Sequence, residues 1–573
     1  MPTRVLATAA AGLGAVAVAL FALRPATGVP AGAPTEDEMA ASIGSQIMEH
    51  LRRGHVAGRS GEVMTVPKPH RYIIGEWDLA TLGTATPFTT TSHPNPWNYT
   101  AHVPLVFYGP GDVAPGRSVA RPTDVAALAP TYAAIVGMDD FRADGRPLPE
   151  IVRAAGDQPP KVIVTVVLDG GGWNVLREHL EQWPTIARLS ERGTSYVNAT
   201  IGSSPSITGA IHATMGTGFY PRRHGIPGNQ MRGADGRNTD AWKHNADPGY
   251  LEKPTVSELW DRANGNKPWV GTVAYESWHL GMIGHGAELA GADRDVAVLW
   301  EAEDNAWWIN ERFYELPSYL RTTDLDRLES YERRLDGRDG FEDGTWFGHG
   351  LEELQEATTR PGSPAFVRFT GDAVIDVLRN EPIGKDSLTD FFWIEFKMPD
   401  YAGHAWNMLR PEEGDVLFET DRQIARLWAQ LDREVGAGNY LLAITADHGQ
   451  QPFPELYGGW RINSYELSRD IEEHFGSDVV EKITTVDVFV NPAVVESSDI
   501  DLSDIARYLG TYTIGDNIRA GQPGADLVPQ ARLDEKLFAG AFSTDYLRDL
   551  TRAKIRSFGA GRYSEGRLGV PQG

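Results

Sequence analysis

Residues 161–172 read KVIVTVVLDGGG, and the reading of this stretch decides the fold. A β-branched run without a polar face suits a strand covered on both sides, as in a parallel sheet between helix layers. The run ends at Asp169, and a helical pattern follows from Trp173 to Arg192. Comparable apolar runs recur as PWVGTVAY at 268–275, DFFWIEF at 390–396 and NYLLAIT at 439–445. Polar residues follow the last two: Asp400 and His404 in PDYAGH, and Asp447 with His448 in TADHG. The pattern predicts an α/β fold with a largely parallel central sheet flanked by helices and carrying cap insertions. Sites in such sheets form at the carboxyl ends of the strands, where these Asp and His residues lie.

Each residue has an ordinary reading when taken alone. Asp169 before three glycines is a turn residue or a helix cap. Thr208, leading into a helical run from Gly209 to Gly216, is a helix cap. Yet a helix start also stabilises anions, and a metal-bound hydroxyl there is a nucleophile. The spacing of Asp400 and His404 puts both on one face of a helical turn. Two strand-end groups of carboxylate and imidazole make coincidence a poor explanation. Their oxygen and nitrogen donors suit two divalent ions, zinc first and manganese second.

Composition narrows the chemistry. The chain has 573 residues, 53 Lys and Arg against 78 Asp and Glu, and a formal charge of −25. That balance excludes a protein that coats nucleic acid, since phosphate backbones need cationic partners. There are no cysteines, so thiol catalysis and thiolate-bound metals are excluded. Arg4, an apolar run from Val5 to Leu23 and a small-residue spacer read as an export signal or membrane anchor over residues 1–33. The expected location is extracytoplasmic, secreted or membrane-attached. Residues 34–60 read as a polar lead-in and 61–573 as one catalytic domain. Within it, 61–152 alternates short strands and a helix, 153–161 (RAAGDQPPK) is a linker, and 162–573 carries the nucleophile and most ligands. The charged, aromatic segments 290–385 and 450–560 are expected to rim the site.

These motifs resemble the alkaline phosphatase superfamily, in particular its type I phosphodiesterase/nucleotide pyrophosphatase branch. PSITGAIHATMGTGFYPRRHGIPGN at 205–229 is similar to the nucleophile segment, and PDYAGH and TADHG to the ligand segments. The resemblance implies one ion on Asp169, Asp447, His448 and Thr208, and another on Asp400, His404 and His93. Thr208 would form a phospho-Thr intermediate, with the Asn229 amide and the backbone N–H groups near Gly209 holding the non-bridging oxygens. The family's last ligand follows the Asp-His-Gly segment, but the only later His here, His474, lies in an ordinary helical pattern. The family's loop instead resembles TSHPNPWNYTAHVPLVFYGPG at 91–111, which assigns the ligand to His93 and implies a circular permutation. Pro94 replaces the glycine that follows this His in the family.

The implied substrate is a small phosphodiester or nucleotide pyrophosphate. Monoesterase relatives place Lys and Arg after the strand equivalent to 268–275, whereas this chain reads YESWHLGMIGHG at 275–286. Glu276, His279 and His285 are expected to line that pocket. The alternatives are a phosphomonoesterase, an envelope phosphoryl-group transferase and, last, a non-catalytic binding protein.

Overall fold

The computed structural model describes residues 29–76, 79, 91–109, 113–155, 159–242, 245–476 and 478–565. Val5–Leu23 and part of the 153–161 linker lie outside the described residues. Among the described residues, no helix is long and apolar enough to cross a membrane. The lead-in holds two short helices, Glu36–Ile43 and Ser45–Gly54.

The β-branched run forms the strand Val162–Leu168, buried along its whole length. It pairs in parallel with Asp390–Phe396 on one side and Tyr440–Ala446 on the other. These three strands are the middle of a nine-stranded mixed sheet. Val270–Val273 and Val296–Glu301 extend it in parallel. Ala306–Trp308 closes that edge antiparallel. On the opposite side Leu105–Tyr108 pairs antiparallel with Tyr440–Ala446, so the segment before the linker completes the sheet. The fold is the expected one.

Register positions the site. Leu168 lies opposite Phe396 and Ala446, so the three central strands end at one level. The next residues, Asp169, Lys397 and Asp447, emerge side by side, about one strand spacing (~4.8 Å) apart.

The sheet's flanks depart from the sequence reading in one place. The predicted helix over Trp173–Arg192 is two helices, Trp173–Glu178 and Pro184–Arg192. Pro184 takes the first turn of the second helix, and the residue before a proline avoids helical backbone. Trp183 accordingly has φ −132° and ψ 51°.

A second, four-stranded sheet joins distant segments: Val480–Ile483, Asp487–Val490, Val63–Pro67 and Phe538–Ser543. It has its own apolar cluster around Val63, Val488, Ile505 and Ala541. Arg232, on the main body, ties the two together. Its guanidinium meets Glu62 at 2.7 Å and Glu481 at 2.8 Å and donates to Val490 O. Arg232→Ala strands these partners and is expected to cost about 3 kcal/mol, measured as lost unfolding free energy in urea.

Candidate metal centre

Two groups of donor atoms converge at the ends of the central strands. In the first, His448 Nε2 lies 3.1 Å from Asp447 Oδ2 and 3.4 Å from Asp169 Oδ1. All three residues are fully buried, and these three atoms have no hydrogen-bond partner among the described residues. Buried polar atoms are normally paired, so three unpartnered atoms facing one another fit a bound cation. Gly170 permits the approach. Its φ is +71°, and a Cβ there would stand 2.9 Å from Asp400 Cα. Its N–H donates to Asp447 Oδ1 at 3.1 Å, which turns Oδ2 toward His448.

In the second group, Asp400 Oδ1 lies 3.3 Å from His404 Nε2 and 3.5 Å from His93 Nε2. Asp400 and His404 share the helix Met398–Ala405, as their spacing requires. Gln450 also donates to Asp400 Oδ1. His93 comes from far upstream, and its ring stacks on His448 with centroids 3.6 Å apart. His474 lies elsewhere, stacked on Tyr508.

Each imidazole has its other nitrogen against a backbone carbonyl. His93 Nδ1 is 2.7 Å from Ser206 O, His404 Nδ1 2.8 Å from Thr91 O and His448 Nδ1 3.1 Å from Gly449 O. Nδ1 therefore carries the proton, which leaves Nε2 as the candidate ligand atom, the usual arrangement of metal-binding histidine. Burial, with the charge of His448, keeps His93 well below the ordinary histidine pKa, in its neutral ligand form.

Thr208 begins the buried helix Thr208–Thr217. The N-cap is Ile207, which makes no side-chain cap, so the Thr208 hydroxyl is not spent as one. The Gly209 N–H donates to Asn229 Oδ1 at 2.9 Å, which leaves the Asn229 Nδ2 group as a donor. Asn229 lines a cavity of about 340 Å³ together with His93 and His404.

Lys397 is the group that the motifs do not reveal. Its Nζ lies 2.6 Å from Asp400 Oδ2, 3.1 Å from Asp169 Oδ2 and 3.5 Å from Thr208 Oγ1. Asp400 thus turns one oxygen to imidazoles and the other to this ammonium, while Asp169 turns Oδ1 to His448 and shares Oδ2 between Lys397 and His279. Burial would lower its pKa, but Asp169 and Asp400 hold it well above the ordinary lysine value. The available signal was positional: Lys397 follows its strand as Asp169 and Asp447 follow theirs.

The expected pocket residues separate. Glu276 lines a second cavity and accepts from Tyr401 Oη at 3.0 Å. Burial raises its pKa to about 7. His279 sits behind Asp169, with Nε2 3.2 Å from Asp169 Oδ2, and is fully buried. His285 is not brought to the site. The buried Glu258 carboxylate holds its Nδ1 at 3.0 Å, and Leu251 O lies 2.9 Å from Nε2.

Comparison with known proteins follows the same lines. The family model described as type I phosphodiesterase / nucleotide pyrophosphatase matches residues 163–513. A Myroides odoratus protein named calcium-transporting ATPase is 24% identical over 401 residues, 61% of this chain and 72% of its own length. Alkaline phosphatase PafA of Elizabethkingia meningoseptica is 23% identical over 403 residues, 61% of this chain and 73% of its own. The crystal structure of wild-type PafA aligns with a TM-score of 0.52 at 19% identity, over 61% of this chain and 76% of that one. The fold is therefore alkaline-phosphatase-like.

The donor set makes metal uptake depend on pH. Burial, then the Asp447 charge, raises Asp169 to about 7. Burial opposes protonation of His448, but Asp447 outweighs it and holds the imidazole at about 9. Protons retained on these ligands must leave when an ion binds. Affinity should therefore rise with pH through 7 toward 9, by about tenfold per pH unit for each proton displaced. Calorimetric zinc titration of metal-free protein at pH 6 and pH 8 checks this.

Proposed function

The chain belongs to the type I phosphodiesterase / nucleotide pyrophosphatase family and is a phosphoric ester hydrolase, and from that premise we propose that it cleaves phosphodiester or pyrophosphate bonds at a two-metal site with Thr208 as nucleophile. The observation that carries the proposal is the set of unpartnered atoms on Asp169, Asp447 and His448 beside an uncapped hydroxyl at a helix start.

Asp169, Asp447 and His448, completed by Thr208, would hold one ion; Asp400, His404 and His93 would hold the other. The donors favour zinc, with manganese second. When bound, such ions lower the pKa of a hydroxyl and offset charge on the attacking and leaving oxygens.

Thr208 Oγ1 attacks phosphorus; an Oγ–P bond forms as the ester P–O bond breaks and the first product leaves. Water then attacks the phospho-Thr, returns the hydroxyl and releases the second product. The Asn229 Nδ2 group would hold a non-bridging oxygen; the Gly209 N–H expected beside it is engaged by Asn229 Oδ1. Lys397 pairs with one oxygen each of Asp169 and Asp400 and would leave the other oxygen of each for an ion. The front segment supports the permuted reading: it inserts Leu105–Tyr108 into the main sheet and brings His93 to Asp400. The family match begins at residue 163, just after the linker. An exported enzyme acting on small phosphate esters agrees with the N-terminal sequence.

Replacement separates these roles. Thr208→Ala should lose turnover by on the order of 10³-fold or more and keep its metal. His93→Ala should lose one of two ions by elemental analysis. Full turnover in Thr208→Ala would mean that water attacks directly.

Charge decides between ester classes. A monoester brings about one more negative charge near neutral pH, which a buried site must match. The 275–286 segment supplies Glu276 in place of a cation. Lys397 favours a second, monoesterase reading, since it stands 3.5 Å from Thr208 Oγ1. Its charge is already engaged by two carboxylates, so the diester reading stands first. With matched nitrophenyl esters, kcat/KM should be higher for the diester. A monoester preference lost in Lys397→Met would establish the second reading.

A further inference from the structure

A separate group of carboxylates lies at the other end of the main sheet. Asp295 immediately precedes the strand Val296–Glu301, and Asp293 stands just before it. Asp261 comes from the helix Val256–Ala263, which leads into the strand Val270–Val273. Those two strands are parallel neighbours. The three acids therefore meet at the amino ends of the strands, whereas Asp169, Lys397 and Asp447 leave the carboxyl ends.

One oxygen from each of Asp261, Asp293 and Asp295 lies within 4.8 Å of the other two. Oxygens bound to one calcium ion at about 2.3–2.6 Å can stand that far apart across it. Asp261 and Asp295 are only 3% and 7% exposed. Asp261 Oδ1 has no hydrogen-bond partner. The Asp295 carboxylate makes no hydrogen bond or ion pair among the described residues, and the charges that act on it most, Glu258, Asp261 and Asp293, are all negative.

Nearby groups of opposite charge are engaged elsewhere. Arg262 reaches Ala290 O at 3.5 Å, and Arg294 donates to Glu311 O at 3.1 Å. His285 is held by Glu258, which also accepts from the Thr255 N–H. Buried carboxylates without partners are costly. A shared proton joins two oxygens, whereas three oxygens around a common point match an ion. Burial, then the Asp293 charge, raises Asp261 to about 7, a cost that a bound cation would relieve.

We propose that Asp261, Asp293 and Asp295 form a structural calcium site, distinct from the strand-end metal centre, that clasps the helix Val256–Ala263 to the start of the strand Val296–Glu301. The set offers carboxylate oxygens and no imidazole, which suits a hard cation rather than zinc. Calcium accepts irregular geometry and completes its six to eight oxygens with water, whereas magnesium demands a near-ideal octahedron. Asp293 is exposed, which gives the ion an entry path and leaves room for those waters.

The test is calcium binding to the full-length, zinc-loaded protein, followed by calorimetry and thermal unfolding. One calcium ion should bind per chain with a Kd of roughly 0.1–1 mM, and Tm should rise by a few degrees in about 10 mM calcium. Asp295→Asn and the surface variant Asp293→Asn should each weaken binding by about tenfold or more and lose the Tm rise. Asp447→Asn, at the strand-end centre, should keep both. Without calcium, Asp295→Asn should be at least as stable as the unaltered protein, because one repelling charge is gone; this separates a lost ligand from a damaged fold. No heat and no Tm rise with calcium overturns the proposal, as does binding undiminished in both Asp293→Asn and Asp295→Asn. Binding lost in Asp447→Asn but kept in Asp295→Asn assigns the ion to the strand-end centre and overturns it too. Magnesium that stabilises as strongly as calcium overturns the choice of ion. No arm of the test uses ester turnover, so its outcome is independent of the hydrolase reading.

Discussion

Everything at this centre depends on the register of three parallel strands. Because Leu168, Phe396 and Ala446 lie level, Asp169, Lys397 and Asp447 must leave the sheet together. A shift of one residue in any strand would turn its side chains to the other face and dissolve the cluster. The β-branched run at 162–168 and the apolar run at 440–446 hold the register, since both faces of the sheet are buried there. Backbone hydrogen bonding and apolar burial thus place carboxylates where their mutual repulsion would not leave them.

That placement has an electrostatic cost, and the site is arranged to offset it. Asp169, Asp400 and Asp447 are all buried, and buried carboxylates are stable only when paired or neutralised. Lys397 satisfies one oxygen each of Asp169 and Asp400. The other oxygens face imidazoles whose Nδ1 atoms are committed to backbone carbonyls. Such an array is incomplete as a hydrogen-bonded cluster and offers candidate groups of cation ligands. The same geometry leaves the Thr208 hydroxyl unspent: Ile207 takes the cap position without a capping bond, and the hydroxyl faces Lys397.

Much of this was legible in the sequence because motif residues sit next to strand ends. Asp169 and Asp447 each follow an apolar run directly, and Asp400 and His404 share one helical turn. His93 was reached through the resemblance of its surrounding loop, and the structure sets it beside Asp400 and His448. Lys397 was missed because its partners are fixed by register between separate strands, which no local motif encodes. His285 was misplaced for a related reason: Glu258, from another helix, captures it. The break before Pro184 overrode a helical pattern that is otherwise continuous. The second sheet pairs Val63 with Val488 and Ser543, contacts that local periodicity cannot announce.

The architecture also separates what must stay fixed from what can vary. The candidate ligands sit just after central strands, on the helix Met398–Ala405 and, for His93, on the segment before the helix Asn98–Ala101. The surrounding cavities are built from outer elements. One is completed by Lys482–Asp487, at the edge of the second sheet. The other is completed by the outer hairpin carrying Trp300, Glu301 and Trp308. Substitutions in these outer elements would alter the cavity walls without moving the strand ends that carry Asp169 and Asp447. Tyr401 joins the two levels, because it follows Asp400 on the ligand helix and bonds to Glu276 in the cavity wall.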